Sequence, residues 1–548
     1  MRLKLSNLSM AEIMARLHAM NGRGITHLDL SKCNFGQSAY AELEALFNRI
    51  KAMGITHLDL RLNHLGQKPG PELIALFNIL KEAGITYLDL SFNALDQRPM
   101  AELSGLFAVL KDLGIIHLKL DANGLGERTN PELITLFQAL KGAPTTHLGL
   151  STNEFYRKTG AELADLLAIL NDLGIRHLDF SFNDLGKKPV SDLITLFKAV
   201  SVTLITELNL SFNDLGQKKR FELALLSDTL KKSAITRLHL RSNGLGERPG
   251  DVLASMFRSF KDSLVTDLDL RSNELGHKNG GELSLMFSAF KDSPMARFNL
   301  ADNAFWMRPG DQLAALLNAM KDSQIIELDL SNNGLHRKTV AEWVTMFAAL
   351  KGSPITHLKL RFNKLGEKTG AELATILAAL TDTSLTHLDL SCNELNQKTA
   401  VELATLFSAL QGTELIHLDL NFNGFDTKTA QELRLIFNAL PAHIATIALS
   451  LQEFTQMNNE QRQAIQSRFP RAEQLILVDN EDGRALNPAL SLSDANVYQA
   501  LGFVGLAPPS LVNQASFFVA RNSTRFNREE GELPDEIKAS ILKFKLRG

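Results

Sequence analysis

The segment Ile55-Thr56-His57-Leu58-Asp59-Leu60-Arg61-Leu62-Asn63-His64-Leu65 follows the frame L-x-x-L-x-L-x-x-N-x-L, and that frame returns every thirty residues. Its asparagine recurs as Asn93, Asn123, Asn153, Asn183, Asn213, Asn243, Asn273, Asn303, Asn333, Asn363, Asn393 and Asn423, and Cys33 holds the same place in an earlier copy. A fixed period of roughly 20–50 residues marks a stacked array of similar units. The length of 548 residues alone would suggest several independent domains. The repeat overrides that expectation.

Within one copy, Leu58 and Leu60 alternate with His57, Asp59 and Arg61, a period of two that predicts a short strand with one buried face. Leu73, Leu76, Phe77 and Leu80 follow at i, i+3, i+4 and i+7, one face of a helix. One strand and one helix cannot close a core, so neighbouring copies must stack. Stacked strands sit about 4.8 Å apart and packed helices about 8–10 Å, which bends the stack. The expected fold is an α/β solenoid of horseshoe form, with a parallel β-sheet on the concave face and α-helices on the convex face. Asn63 and its equivalents lie where the chain leaves the strand, and their amides are expected to satisfy turn backbone from copy to copy.

In chain order, residues 1–23 read as a truncated copy that acts as an N-terminal capping helix. Leu5 is in register with Phe35 and Leu65, Ser9 with Glu12 forms a capping box, and most of the strand is expected to be missing. Residues 24–440 hold fourteen regular copies. Their helices start at capping boxes such as Thr159 with Glu162 and Thr369 with Glu372, or at prolines such as Pro69 and Pro189. Residues 441–484 hold two degenerate copies, around Ile447-Ala448-Leu449 and Gln474–Asn480, with Met457–Phe469 as the helix between them. Residues 485–548 leave the pattern. Short helices are expected at Ser493–Leu501, Ser510–Ala520 and Pro534–Lys545, with the polar stretch Arg521–Glu532 before the last. This segment is either a helical C-terminal cap or an appended segment with an export signal.

A net charge of −3 gives neither the basic bias of a nucleic-acid binder nor the acidity of a binder of basic proteins. Cys33 and Cys392 stand twelve copies apart, too far to bridge in a stack, which points to a reducing compartment. Met1–Met20 has no apolar core of a cleaved signal, and no apolar run reaches the length of a membrane span.

Function in such an array falls on the outward strand positions. The His57 column carries His27, His117, His147, His177, His357, His387 and His417, beside an Asp59 column of Asp29, Asp89, Asp179, Asp269, Asp329, Asp389 and Asp419. A solvated polar face and a surface that titrates near a pKa of roughly 6.5 both fit. A metal site fits poorly, because parallel ladders do not converge on a tetrahedral point. The Leu62 column carries Phe92, Phe182, Phe212, Phe362 and Phe422, either as exposed hot spots or tucked against the next copy. Three consecutive copies depart furthest from the consensus: Arg237, His239 and Arg241; Asp267, Asp269 and Arg271; Arg297, Asn299 and Ala301. Phe305 and Trp306 follow, with Trp306 in the slot of Gly66, Gly126 and Gly186. Arginine and tryptophan dominate binding hot spots, so the candidate partner surface is Arg237, His239, Arg241, Asp267, Asp269, Arg271, Arg297 and Trp306, with Phe182 and Phe212. Neutral drift on a tolerant face is the alternative.

A further stripe places Lys or Arg at 68, 98, 128, 158, 188, 218, 248, 278, 308, 338, 368, 398 and 428, with Glu four residues on in most copies. This spacing predicts a solvated edge ladder of ion pairs, and a nucleic-acid surface would need the stripe unpaired. There is no G-x-x-x-x-G-K-[ST], H-E-x-x-H or G-x-S-x-G motif. No His follows His443 and no Cys follows Cys392, so a Ser–His or Cys–His nucleophile cannot lie in the C-terminal segment. No enzymatic activity, cofactor, metal or nucleic-acid partner is expected.

The frame and its helix-bearing copies resemble ribonuclease-inhibitor-type leucine-rich repeats over residues 24–484. The consensus Ile-Thr-His-Leu-Asp-Leu-Ser-x-Asn, with Gly160-Ala161-Glu162-Leu163-Ala164, is similar to repeats in effectors of Legionella-type intracellular bacteria. Pro509-Ser510-Leu511-Val512-Asn513-Gln514 and Leu533-Pro534-Asp535-Glu536 resemble C-terminal stretches of those proteins, and Glu529, Glu530 and Glu532 before Leu546 are similar to type IV secretion signals. With two cysteines and little acidity the chain departs from ribonuclease inhibitors, so ribonuclease binding is not implied. The lack of a late cysteine also excludes the Cys-dependent ubiquitin-ligase domain that some bacterial repeat effectors carry. The resemblance implies a non-enzymatic, monomeric scaffold, secreted without a cleaved signal, that binds a host protein in the host cytoplasm through its concave face. A resident cytoplasmic scaffold, and an effector whose activity lies in residues 485–548, are the alternatives.

Overall fold

The structure is a computed structural model and describes residues 2–20, 24–218, 220–479, 484–489 and 492–503. It divides into two compact units, Met1–Arg308 with Ala315–Ile326, and Pro309–Ala314 with Glu327–Gly548. Each is a leucine-rich-repeat solenoid. A typical copy runs from the strand His57–Asp59 through a 3-10 turn, Leu65–Gln67, to the helix Gly70–Ile79. The next strand, Tyr87–Asp89, pairs with it in parallel, His57 beside Tyr87 and Leu58 beside Leu88.

In the first unit the strands follow chain order from Arg2–Lys4 and His27–Asp29 to Asp267–Asp269 and Arg297–Asn299. In the second they run Glu327–Asp329, His357–Lys359, His387–Asp389, His417–Asp419, Thr446–Ser450 and Leu475–Val478, again parallel and in order. Leu58, Leu60, Leu73, Leu76 and Phe77 are buried, so each core lies between its sheet and its helices.

The asparagine column holds each stack in register. Asn183 is 0% exposed; its Oδ1 accepts from the N–H groups of Asn153 (3.0 Å) and Phe155 (3.2 Å). Its Nδ2 donates to the carbonyls of Leu150 and Ser181, each at 3.0 Å. One side chain thereby satisfies backbone of two copies, where an unpaired buried amide would be costly. The same turn holds the residue before the asparagine at positive φ, as at Phe182 (+52°) and Phe212 (+56°), a conformation uncommon for bulky side chains.

One slot decides how closely copies approach. A Cβ on Gly66 would lie 2.0 Å from the Ala94 carbonyl oxygen, and one on Gly186 2.4 Å from that of Asp214. The N–H groups of Gly66 and Gly186 reach the next copy's asparagine carbonyl at 2.8 and 2.6 Å. Asp96 and Tyr156 occupy the same slot with longer bonds, 3.2 and 3.1 Å, because the loop must back away from its own side chain.

The structure corrects four local expectations. The first copy keeps a strand, Arg2–Lys4, paired with His27–Asp29. The Met457–Phe469 helix is instead Leu451–Gln456 and then Asn459–Gln466, because Asn458 accepts from the Gln461 N–H (3.0 Å) and caps a new helix. The Ser493–Leu501 helix runs Leu492–Ala500. Finally, the basic stripe is not a solvated ladder. Lys68, Lys158, Lys188, Lys278 and Lys338 are buried; Lys188 donates to the carbonyls of Tyr156 (3.1 Å) and Lys158, and Arg98 to that of Lys68 (2.8 Å). Their carboxylate partners stand further off, Lys188 to Asp192 at 3.7 Å. In the fifteenth copy Gln461 takes over, donating from Nε2 to the carbonyls of Asp426 (2.9 Å) and Lys428 (2.6 Å). The stripe closes loop carbonyls that strand and helix leave open.

The last strand of the second unit would leave a bare sheet edge. Residues 484–489 and 492–503 cover it: the Leu486 N–H donates to the Leu477 carbonyl (2.7 Å), and the buried Tyr498 hydroxyl donates to the Leu475 carbonyl (2.9 Å) while accepting from the Leu477 N–H (2.8 Å). Arg484 grips Asp494 through both terminal guanidinium nitrogens, Nη1 at 2.7 Å and Nη2 at 3.0 Å. The helices expected at Ser510–Ala520 and Pro534–Lys545, the stretch Arg521–Glu532 and the export signal lie outside the described residues.

Candidate protein-binding face of the first unit

In-register parallel pairing puts equivalent side chains of successive copies side by side. The His57 column therefore becomes a ring stack on the outward face of the first unit. His27 and His57 stack at 3.8 Å between centroids, His57 and Tyr87 at 5.4 Å, His117 and His147 at 3.8 Å, and His147 and His177 at 3.7 Å. Hydroxyls of Thr26, Thr56 and Thr146 lie 2.9 Å from Nδ1 of the following histidine and fix ring orientation. Burial, then the neighbouring His117 and His177, pushes the His147 pKa down to about 3. His147 is neutral at physiological pH and cannot serve as a switch near 6.5.

The stack ends at Glu207. Its carboxylate meets His177 Nδ1 at 2.9 Å, Arg237 at 2.7 Å and His239 Nε2 at 3.2 Å. The hydrogen bonds from His177 and His239 outweigh burial and hold this carboxyl far below the usual range. Burial opposes charge on His239, yet its bonds to Asp269 and Glu207 prevail and raise it to about 9. The ladder continues through Asp269 to Arg271 (3.3 Å) and, in the other column, Asp267 to Arg297 (3.0 Å). The turns that follow the strands of His177 and Glu207 carry Phe182 and Phe212, whose rings stack at 4.0 Å, with the Arg241 guanidinium 5.2 Å from the Phe212 centroid. Phe182 is 48% exposed.

Beside this ladder lies a groove of about 310 Å³, walled by His147, His177, Asp179 and Glu207 over the floor of Leu148 and Gly149. Gly149 creates it by occupying an aspartate slot. The missing acceptor is supplied by Asp121, whose Oδ1 takes the Ser151 N–H at 2.9 Å. Burial and then Asp179 push the Asp121 carboxyl up to about 6.

Of the residues singled out in the sequence, Arg237, His239, Asp267, Asp269, Arg271 and Arg297 join in ion pairs, and Phe182, Phe212 and Arg241 form one aromatic–cation stack. Trp306 belongs to the 3-10 turn Phe305–Met307, off the strand face, and is 42% exposed. Glu207, Gly149 and Asp121 were not foreseen. Glu207 could have been found as the lone acid between the histidine run and Arg237 in one column. Among the described residues, no three His, Cys, Asp or Glu side chains group as metal ligands, and no helix is long and apolar enough to cross a membrane.

A family model described as a leucine-rich repeat matches residues 381–404. No curated protein matches the chain. Among solved structures, the leucine-rich repeat-containing protein LegL7 from Legionella pneumophila is 28% identical, with a TM-score of 0.51 over 61% of this chain and 100% of its own. A chain of the yeast Rad7 and Elc1 complex is 13% identical, with a TM-score of 0.39 over 80% of this chain and 91% of its own.

Proposed function

We propose that this chain is a non-enzymatic, monomeric protein-interaction scaffold of the bacterial effector type, exported into a host cell, that binds a host protein on the sheet face of its first unit. The observation that carries the reading is the Phe182–Phe212–Arg241 stack, in the turns that follow the strands of three successive copies next to the 310 Å³ groove. A half-exposed Phe182 ring held rigid by stacking on Phe212 presents apolar area at low entropic cost, the usual content of a hot spot. The neighbouring ladder from Glu207 to Arg297 keeps alternating charge in fixed geometry, which favours orientation of a partner over raw affinity. The effector assignment rests on the likeness to LegL7 and on the C-terminal resemblance.

The test is capture from host-cell lysate with the intact protein, beside a Phe182→Ala, Phe212→Ala, Arg241→Ala variant and a separate Trp306→Ala variant. A stoichiometric partner lost in the triple variant supports the face. A partner kept by it but lost on deletion of residues 485–548 moves the site to the C-terminal segment. Failure of a reporter fused to residues 449–548 to enter host cells would favour a resident scaffold.

A further inference from the structure

The second unit carries a cavity of different chemistry. In register, Asp389 lies beside Asp419 and Asp419 beside Ala448, which is followed by Ile476. Where the carboxylate column stops at Ala448, the sheet face opens into a cavity of about 510 Å³. Asp389 and Asp419 form one wall, Asp479 lines it as well, and Ala448, Ile476 and Val478 contribute apolar surface. Among the described residues the lining has one cation, Arg361, whose guanidinium lies over the rings of Phe362 (4.8 Å) and Phe422 (5.8 Å). Burial pushes His417 down to about 4, so it adds no charge at neutral pH. Three carboxylates against one guanidinium disfavour an anionic guest.

Asn421 lines the same cavity and is 4% exposed. Its Nδ2 donates to Asp419 Oδ1 at 2.6 Å, and its own Oδ1 meets no donor among the described residues. A buried acceptor is costly until a further donor satisfies it. Burial and the adjacent Asp389 push the Asp419 carboxyl up to about 7, the response of an acid pair short of a counter-charge.

We propose that this cavity binds a guanidinium or primary ammonium group on an apolar stem, with Asp389, Asp419 and Asn421 Oδ1 accepting its hydrogen bonds and Ile476 and Val478 packing its methylenes. An arginine or lysine side chain of a partner protein and a free alkyl amine share that chemistry. The site stands on its own geometry and does not depend on the face of the first unit.

The experiment is calorimetric titration of the full-length protein with n-butylguanidinium, n-butylammonium, acetyl-arginine N-methylamide and the neutral isostere n-butylurea. The cations should saturate near ~1 mM, the range open to ligands of so few atoms, and the urea should bind at least about tenfold more weakly. Ala448→Leu, which fills the cavity and leaves the carboxylates in place, should weaken the cations about tenfold or more. Asp419→Asn keeps the shape and should do the same, so a folding defect in one variant leaves the other decisive. Blocked arginine binding as well as butylguanidinium assigns the site to a protein side chain; loss of binding on adding the backbone assigns it to free amines. Equal binding of the urea, no saturable binding of the cations, or indifference to both substitutions overturns the proposal. No partner protein enters the titration, so its failure leaves the proposed host-binding face untouched.

Discussion

Glu207 organises the first unit's sheet face, because one carboxylate lies within bonding distance of His177, Arg237 and His239 together. His239, raised to about 9 from an unfolded value of roughly 6.5, adds stability that is complete below pH 6.5 and is lost as pH rises towards 9. Discounted for its partial exposure, the loss should be about 1–2 kcal/mol. Urea midpoints measured across pH 6–9 should fall in the native chain and stay flat for this contribution in His239→Gln. The opposite holds at His147, whose lowered pKa makes stability full above pH 6.5 and lost on acidification towards pH 3. For the asparagine column, Asn183→Ala strips partners from two N–H groups and two carbonyls. It should cost about 3–5 kcal/mol by denaturant unfolding; a loss under ~1 kcal/mol would mean that other donors and acceptors fill in.

Elements are held by contacts thirty residues away more than by their own turns. The buried lysines show this: their spacing from glutamate reads as surface ion pairing, yet their ammonium groups reach carbonyls of the preceding copy. Tyr498 reaches back 21 and 23 residues to the strand Leu475–Val478 and ties its edge to the helix Leu492–Ala500. Tyr498→Phe leaves a buried carbonyl and a buried N–H unpaired and should cost about 1–3 kcal/mol. Hydrogen exchange at Leu475–Val478 should then quicken while the strand Glu327–Asp329 keeps its protection. Unchanged exchange at Leu477 would show that the hydroxyl is not what holds the edge.

At the scale of the whole molecule, a solenoid depends on its capping copies as much as on its repeats, since an uncapped copy exposes both apolar core and unpaired strand edge. A chain ending at residue 440 uncovers the strand His417–Asp419, which Thr446–Ser450 otherwise pairs. It should aggregate on size-exclusion chromatography, whereas a chain ending at residue 503 should remain monodisperse. Monodispersity of the shorter chain would show that residues 441–503 are dispensable for solubility.

The thirty-residue frame by itself determined the repeat, the strand and helix of each copy, the capping boxes and the buried asparagine column, because these depend on local periodicity that every copy restates. It also brought out the columns from which Phe182, Phe212 and Arg241 come. Tertiary structure alone decided what those columns do. Glu207 became a hub, Asp121 replaced the acceptor missing at Gly149, and the cavity opened beside Asp419, because side chains far apart in sequence became neighbours at strand spacing. Burial depth turned the basic stripe from a surface ladder into backbone ligands and held His147 below neutrality, while the carboxylates of Asp269 and Glu207 raised His239 above it. Neither depth nor cross-copy distance is written in a one-dimensional pattern, and both follow once the copies stack.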